Sequence, residues 1–171
     1  MLRYLAAFGP ATVMDVQAWC GLTRLREVTE RLRPRLRAFR SEDGRELLDL
    51  PDAPRPDPDT PAPVRFLPEY DNIALGHADR SQIVRSRPDY TAPAGRGGWR
   101  GSLLVDGFVS ALWRLTVSGG VATLRIETYA GVPKREHGAI EAEGERLIAF
   151  LAPEAGECEV EIVPRLTGAG R

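Results

Sequence analysis

Arginine is the side chain with the clearest chemical potential in this sequence, and it is concentrated in one stretch. Seven arginines stand within residues 24–40, against only two acids, Glu27 and Glu30. A guanidinium group carries its donors in a planar fork that matches the oxygens of a phosphate. The net charge of the chain is −1, so attraction to a polyanion must come from this local cluster. The stretch therefore predicts contacts to a nucleic-acid backbone.

A second group of polar side chains lies between residues 65 and 81. It includes Asp71, Asn72, His77 and Arg80. Polar groups at this density are costly to bury unless they are paired. One hypothesis is a loop that faces DNA or supports catalysis. The other, which we favour slightly, is a structural network in which the four side chains satisfy one another.

A glycine-rich segment, residues 95–100, carries Arg96, Trp99 and Arg100. An indole ring can stack on a nucleobase while arginines bind phosphate, so contact with nucleic acid is one interpretation. A loop whose Trp99 packs inward explains so short a pattern equally well. Trp113, by contrast, stands on the apolar face of a strand-like run and is predicted to be core.

The sequence contains no recognisable catalytic or metal-binding pattern. The only cysteines, Cys20 and Cys158, lack the paired spacing of a metal site, and the only histidines are His77 and His137. There is neither a phosphate-binding glycine loop nor a nucleophile elbow. We therefore expect no cofactor and no metal ion, and two reduced, buried thiols.

The spacing of apolar residues predicts three short helices before residue 34. Thr12 is placed to cap the second helix, and Thr23 is placed to cap the third. In the third helix Leu25, Val28 and Leu32 are predicted to point inward, with arginines on the opposite face. Two helices joined by such a short turn are typical of a helix-turn-helix.

A hairpin is predicted after the third helix, because residues 42–44 form a turn sequence between two strand-like runs. Three helices followed by a hairpin make a winged helix, in which the third helix enters the major groove and the hairpin touches phosphates. The expected partner is double-stranded DNA. A solvated helix face carrying Arg–Glu pairs is the alternative. The candidate DNA-binding residues are Arg24, Arg26, Arg31, Arg33, Arg35, Arg40, Arg45, His77, Arg80, Arg96 and Arg100.

The rest of the chain is predicted to be mainly β. Residues 51–63 hold six prolines and three aspartates, which predicts a semi-extended linker. Residues 102–129 contain three strand-like runs separated by glycine turns, typical of an antiparallel meander. Helical periodicity over 140–151 and alternation over 158–162 follow. The predicted domains are a winged helix over 1–50, a linker over 51–64 and a β-rich domain over 65–171.

Several motifs resemble the AlkZ/YcaQ-like winged-helix DNA glycosylase family. They stand at residues 4–12, 15–16, 19–22, 67–72, 76–77, 79–81, 105–107 and 113–114. The most specific stretch runs from Leu-Pro-Glu-Tyr-Asp-Asn at 67–72 to His-Ala-Asp-Arg at 77–80. The resemblance covers nearly the whole chain and is to the C-terminal half of such proteins. It implies an α+β fold in which a winged helix precedes a β-rich, barrel-like domain with one helix.

The resemblance does not extend to the catalytic motif of the family, a Gln-x-Gln or Gln-x-Asp that lies in the N-terminal half. The only glutamines here are Gln17 and Gln82, and Trp19 stands where a second polar residue would be needed. No catalytic residue is therefore assigned. The resemblance implies a DNA-binding relative of the alkylpurine and crosslink glycosylases that is inactive on its own.

Two alternatives stay open at this point. In the first, the chain is either an active enzyme with an unrecognised site, for which Asp71, His77 and Asp79 are the first candidates, or a fragment of an active DNA glycosylase. A winged-helix transcriptional regulator would dimerise through its β domain, which leaves a homo-oligomer open. No apolar run approaches the roughly 20 residues of a membrane span, and the first eight residues are too short for a signal peptide. We therefore expect a cytoplasmic protein without a membrane partner.

Overall fold

The computed structural model describes residues 1–84, 101–129 and 132–164. In these residues the fold is mixed α+β, with five α-helices and two sheets. The chain divides into two compact units. We call residues 1–60 and 72–80 the helical unit, and the described part of 61–71 and 81–171 the sheet unit. The segment 72–80 thus lies in the helical unit, although it follows residues 61–71 in the sequence.

Three short helices open the helical unit, as the apolar spacing predicts. They are α1 (Leu2–Phe8), α2 (Val13–Cys20) and α3 (Arg26–Leu32). Thr12 is the predicted cap of α2, and the structure confirms it. The Thr12 hydroxyl accepts from the backbone amide of Asp15, and the Asp15 carboxylate accepts from the backbone amide of Thr12. This reciprocal pair satisfies two backbone donors that the first turn of a helix leaves free.

The start of α3 differs from the prediction. Thr23 does not cap the helix, because Arg24 takes a left-handed φ of 59° and the chain continues as a turn as far as Leu25. The inward face shifts as a result. Val28, predicted to be inside, is 41% exposed, whereas Thr29 is 1% exposed. Thr29 can be buried because its hydroxyl donates to the carbonyl of Leu25 at 2.9 Å.

A two-stranded sheet completes the predicted order of elements. A 3-10 turn (Arg33–Arg35) leads from α3 to β1 (Arg37–Arg40), which pairs antiparallel with β2 (Glu46–Asp49). The hairpin prediction is confirmed. The last helix of this unit is α4 (Asn72–Leu75). The unit has a small core of five buried residues, Tyr4, Leu5, Ala11, Val16 and Leu48.

The sheet unit contains one five-stranded sheet, and the order of the strands across the sheet is the same as their order along the chain. The strands are β3 (Arg65–Pro68), β4 (Gly101–Val105), β5 (Phe108–Ser118), β6 (Val121–Thr128) and β7 (Glu157–Pro164). The predicted antiparallel meander is formed by β4, β5 and β6. The barrel-like closure implied by the resemblance is not found in the described residues, because β3 and β7 stand at opposite edges of the sheet.

The predicted helix near the end of the chain is α5 (His137–Leu151), which connects β6 to β7. These two strands are parallel, so the chain needs a crossover to return to the same end of the sheet. Ile140 and Ile148 of α5 are fully buried in the core of the unit. Trp113 is 4% exposed in the same core, as predicted.

The two cysteines do not have the predicted burial. Cys158 is exposed and Cys20 is half-buried. Cys158 lies near the beginning of β7, an edge strand whose residues are at most half-buried. Val160 and Ile162, farther along the strand, are the β7 residues that pack on the core. The alternation predicted for this strand is therefore present, but the inward-facing residues become partly buried only from Val160, two residues after Cys158.

Candidate nucleic-acid interface

The turn between α2 and α3 sets the position of the arginine-rich stretch. Gly21 ends α2 with a left-handed φ of 68°, a conformation that glycine adopts without steric cost. Its amide donates to the carbonyl of Gln17 at 2.9 Å, and the side-chain oxygen of Gln17 accepts from the amide of Leu25 at 3.0 Å. Gln17 of α2 thus bonds to the residues at both ends of the turn, and these bonds fix the direction in which α3 leaves α2.

Four of the predicted DNA-binding arginines are exposed and make no hydrogen bond or ion pair in the described residues. They are Arg24, Arg26, Arg31 and Arg35. Within the part of the chain that the structure describes, none of their side chains makes a hydrogen bond or an ion pair. A free guanidinium can bind a phosphate without first breaking an internal bond. These four, together with Arg37, whose guanidinium lies 5.0 Å from the centre of the Phe39 ring, are the cations of the stretch that are available to a polyanion.

Arg33 has a different role, because two carboxylates already hold it. Its guanidinium lies 2.8 Å from Glu30 of α3 and 2.9 Å from Glu46 of β2. The hydrogen bonds to Glu30 and then to Glu46 raise the pKa of Arg33, and the same bonds lower the pKa of both carboxyl groups. Arg33 therefore ties the two-stranded sheet to α3.

The arginines of the hairpin are also engaged. Arg45 lies 2.9 Å from Asp79 and 2.6 Å from Asp43, and the hydrogen bond to Asp79 contributes most to its raised pKa. Arg40 donates to the carbonyl of Gly44 at 3.0 Å. Both side chains stabilise the hairpin and the neighbouring segment 72–80. They can reach a ligand only with their remaining donors.

His77 does not join the mutual network that the sequence suggests for the polar segment. Its Nε2 lies 3.0 Å from the carbonyl oxygen of Phe8, so it is bonded to the end of α1. One residue earlier, the carbonyl of Gly76 accepts from the hydroxyl of Tyr4 at 2.6 Å. Burial, followed by the charge of Asp15, raises the pKa of Tyr4. The segment 72–80 is thus fastened to α1 by two bonds.

Asp15 fastens the same segment to α2. The carboxylate is 5% exposed and accepts from the amide and the hydroxyl of Thr12 and from the amide of Ala78, at 2.7 to 2.9 Å. Burial opposes ionisation of this group, but the three hydrogen bonds outweigh it, so the pKa of Asp15 is lowered. Asp15 is therefore an ionised structural group with its acceptors occupied.

An aromatic cluster lies behind these bonds. The ring of Tyr4 is 5.3 Å from that of Phe8 and 5.5 Å from that of Trp19, and His77 is 6.3 Å from both Tyr4 and Phe8. Trp19 nevertheless leaves 45% of its surface exposed. Sequence reasoning did not single out this residue for a function. The available signal is a tryptophan that lies outside the apolar stripe of α2 and directly before the turn.

A cleft of about 640 Å³ opens between α2, α3 and the hairpin of the helical unit. Four carboxylates line it, those of Asp15, Glu30, Glu46 and Asp79. Each is bonded to a side chain or backbone donor as described above. A general base must be able to take a proton from the attacking group. The cleft therefore offers binding groups and no free carboxylate base.

The remaining candidates take no part in this arrangement. Arg80 is half-buried at the end of the helical unit, and Arg96, Trp99 and Arg100 lie outside the described residues. Among residues 1–84, 101–129 and 132–164 no group of histidine, cysteine and acidic side chains could hold a metal ion. No helix in those ranges is long and apolar enough to cross a membrane.

Comparison with known proteins gives two matches. A family model described as DNA glycosylase AlkZ-like matches residues 1–150. Among solved structures, the DNA glycosylase AlkZ of Streptomyces sahachiroi is similar, with a TM-score of 0.64 and 21% sequence identity. That match covers 95% of this chain and 44% of the other, so this chain spans less than half the length of its structural relative. The curated proteins contain no match.

Proposed function

The chain belongs to the AlkZ-like family of DNA glycosylases, and from that membership we propose that it binds double-stranded DNA through its helical unit. In this proposal the unit is a winged helix. The helices α2 and α3 form its helix-turn-helix, and β1 and β2 form the wing. We further propose that the chain corresponds to the C-terminal half of longer family members, because its motifs resemble that half.

The observation that carries the proposal is the division among the arginines. The side chains that fix the fold, Arg33 and Arg45, are held by acids, whereas the four on and around α3 are free. If α3 presented only a solvated face of Arg–Glu pairs, we would expect the exposed arginines to be paired with glutamates as well. Free cations on the second helix of a helix-turn-helix are what contact with phosphates requires.

We also propose that these 171 residues bind DNA without releasing a base. Glycosidic cleavage needs a polar group that can orient the attacking water and face the charge that develops on the sugar. The side-chain oxygen of Gln17 is engaged by the amide of Leu25, and the carboxylates of the cleft are already bonded. We propose a role in DNA repair, supported by the family relationship, with alkylated or crosslinked DNA as the target, which the resemblance of its motifs implies.

Binding is tested by measuring affinity for a duplex across a salt series. The logarithm of the affinity should fall with a slope of about −0.9 per phosphate contact, so four contacts predict a loss of about 150-fold between 50 and 200 mM salt. A variant with Arg24, Arg26, Arg31 and Arg35 all replaced by Gln should lose both affinity and slope. No binding at low salt, or a flat series, would refute DNA as the ligand.

Catalysis is tested by following free base and abasic sites on alkylated and crosslinked duplexes, with the chain in excess and a longer family member as positive control. We expect binding without release. Release above the blank would contradict the proposal. Its loss in His77→Ala or Asp79→Ala would then identify the segment 72–80 as a catalytic centre.

A further inference from the structure

We propose that Trp19 is a stacking platform for an unpaired nucleobase of the bound DNA. This inference rests on the proposed DNA binding and names the part of the DNA that the helical unit selects. The ligand it predicts is a base that has lost a stacking neighbour, as in a bulge, an extruded nucleotide or a single strand.

The first argument is that Trp19 is both exposed and supported. The indole leaves 45% of its surface uncovered, although an apolar ring gains free energy from burial. Its ring lies 5.5 Å from Tyr4 and 6.2 Å from Phe8. Tyr4 is 2% exposed and bonded to Gly76, so the support cannot easily move. A ring that is held in place loses little conformational entropy when a ligand stacks on it.

The second argument comes from the residues beside Trp19 in the turn. Leu22 is 59% exposed, and Arg24 is exposed without an ion pair in the described structure. An aromatic ring, an aliphatic side chain and a free guanidinium thus stand within six consecutive residues. Proteins that bind single-stranded nucleic acid combine the same groups, using cations for the backbone and rings for the bases.

The charge around the turn favours a nucleobase over an apolar protein partner. Arg24, Arg26 and Arg31 are all exposed without an ion pair, against two exposed acids in this part of the chain, Glu27 and Glu30, of which Glu30 is paired with Arg33. A purely apolar partner would have to cover or desolvate these cations, whereas a nucleic acid supplies a phosphate beside each base. Bases inside an intact duplex are stacked on both faces, so the ring can stack only on a base that has been freed.

The test compares three 20-nucleotide ligands of related sequence: an intact duplex, the same duplex with one bulged thymine, and one single strand. We expect the wild-type chain to bind the bulged duplex about tenfold more tightly than the intact one. Trp19→Leu keeps an apolar side chain against Tyr4 and Phe8 but has no ring to stack. It should lose the preference while its affinity for the intact duplex stays within about twofold, and Trp19→Phe should retain part of the preference.

A second measurement leaves the Trp19 side chain in place. The chain has three tryptophans, and Trp113 is 4% exposed in the core of the sheet unit. In a Trp99→Phe background, quenching of tryptophan emission by DNA therefore reports on Trp19. We expect quenching by the bulged duplex and the single strand, and little by the intact duplex.

The outcomes separate this inference from the proposed function. Duplex binding without a preference for unpaired bases and without quenching would refute the platform and leave DNA binding intact. Failure to bind any of the three ligands would refute both. A dimer that forms without DNA and disappears in Trp19→Leu would also refute the platform, because a second copy would then cover the ring.

Discussion

The helical unit and the sheet unit are held together by different means. The sheet unit has a core of ten buried residues between its strands and α5, including Leu103, Leu124, Ile126, Ile140 and Ile148 with no exposed surface. The helical unit buries only five residues in its core and relies also on directional bonds made by side chains. Those bonds are made by the capping box, Asp15, Tyr4 and Arg33.

The difference explains how the smaller unit keeps its structure while α3 and Trp19 stay exposed. Apolar burial stabilises a fold only where side chains leave water, so a sheet that depends on it must cover its face. Hydrogen bonds and ion pairs at the ends of helices fix the chain while leaving the outer surfaces open. The helical unit can therefore keep α3 and Trp19 exposed without losing its structure.

The largest expected effect is in the core of the sheet unit. Leu124→Ala removes a fully buried side chain, so the free energy of unfolding should fall by about 3 kcal/mol. Denaturant unfolding followed by circular dichroism measures it. Val117→Ala on β5, where the side chain is 58% exposed, is the matched control and should cost less than about 0.5 kcal/mol. Equal losses would contradict a core that carries the stability of this unit.

The next effect is in the polar bonds of the helical unit. Asp15→Asn weakens three hydrogen bonds to a buried charge, so the free energy of unfolding should fall by about 2 kcal/mol at neutral pH. Glu42→Gln, an exposed acid of the hairpin turn, is the control and should have no effect. A similar loss in both variants would show that general charge, and not this bond set, matters.

The Asp15 prediction also has a pH dependence. The folded protein holds the pKa of Asp15 below its usual 3.8, so the ionised group stabilises the fold above that pH. This contribution is lost as the pH falls through the lowered value in the folded state. The difference in stability between wild type and Asp15→Asn should therefore narrow in acid. A constant difference down to the lowest pH measured would contradict the hydrogen-bonded carboxylate.

A third prediction asks whether DNA contact belongs to one unit. Arg31→Glu should weaken duplex binding by about tenfold, because it reverses a free charge on the proposed recognition helix. Arg135→Glu reverses a charge whose side chain is 81% exposed on the sheet unit, and it should change affinity by less than about twofold. Circular dichroism should be unchanged in both. Equal losses of affinity would indicate diffuse attraction and sink the assignment of α3.

The smallest expected effect is a difference in Tm and in duplex affinity between variants of two arginines in the helical unit. Arg33→Gln should lower the Tm slightly, and less so in high salt, because the side chain is 41% exposed and its pairs are screened. Its duplex affinity should hold. Arg26→Gln should show the reverse, with an unchanged Tm and weaker DNA binding. A Tm loss in Arg26→Gln as large as that in Arg33→Gln would remove the distinction between structural and free arginines.

Local patterns explain which elements the sequence predicts correctly. The alternation over β5 and β6, the helical spacing of α5 and the Thr12 cap each depend on neighbouring residues alone, and all were found. The strand β3 has only four residues and ends in Pro68, too little for periodicity to show. The parallel pairing of β6 with β7 depends on a crossover that no local pattern specifies.

The candidate site shows the same limit. The sequence identifies the arginine-rich stretch but not which members are already bonded. Arg33 meets Glu46 only because the hairpin folds back beside α3, and Arg45 meets Asp79 across a long separation in sequence. On the inner face of α3, Thr29 is buried instead of the predicted Val28, and this shift follows from the left-handed conformation of Arg24. Propensity scales disfavour that conformation for arginine and so do not predict it.

The glutamates of β7 bear on how this protein avoids aggregation. In the described structure β7 has a neighbouring strand only on its β6 side, so its other edge presents unpaired backbone groups. Glu157, Glu159 and Glu161 place a carboxylate at every second position of that edge. Glu161 is paired with Arg125 of β6 at 3.0 Å, but Glu157 and Glu159 have no ion pair in the described residues. Two copies meeting edge to edge would bring these like charges together, which disfavours intermolecular sheet growth at neutral pH. Removing β7 would make β6 the edge strand instead. Its buried residues Ala122, Leu124 and Ile126 carry no charge that would repel a second copy.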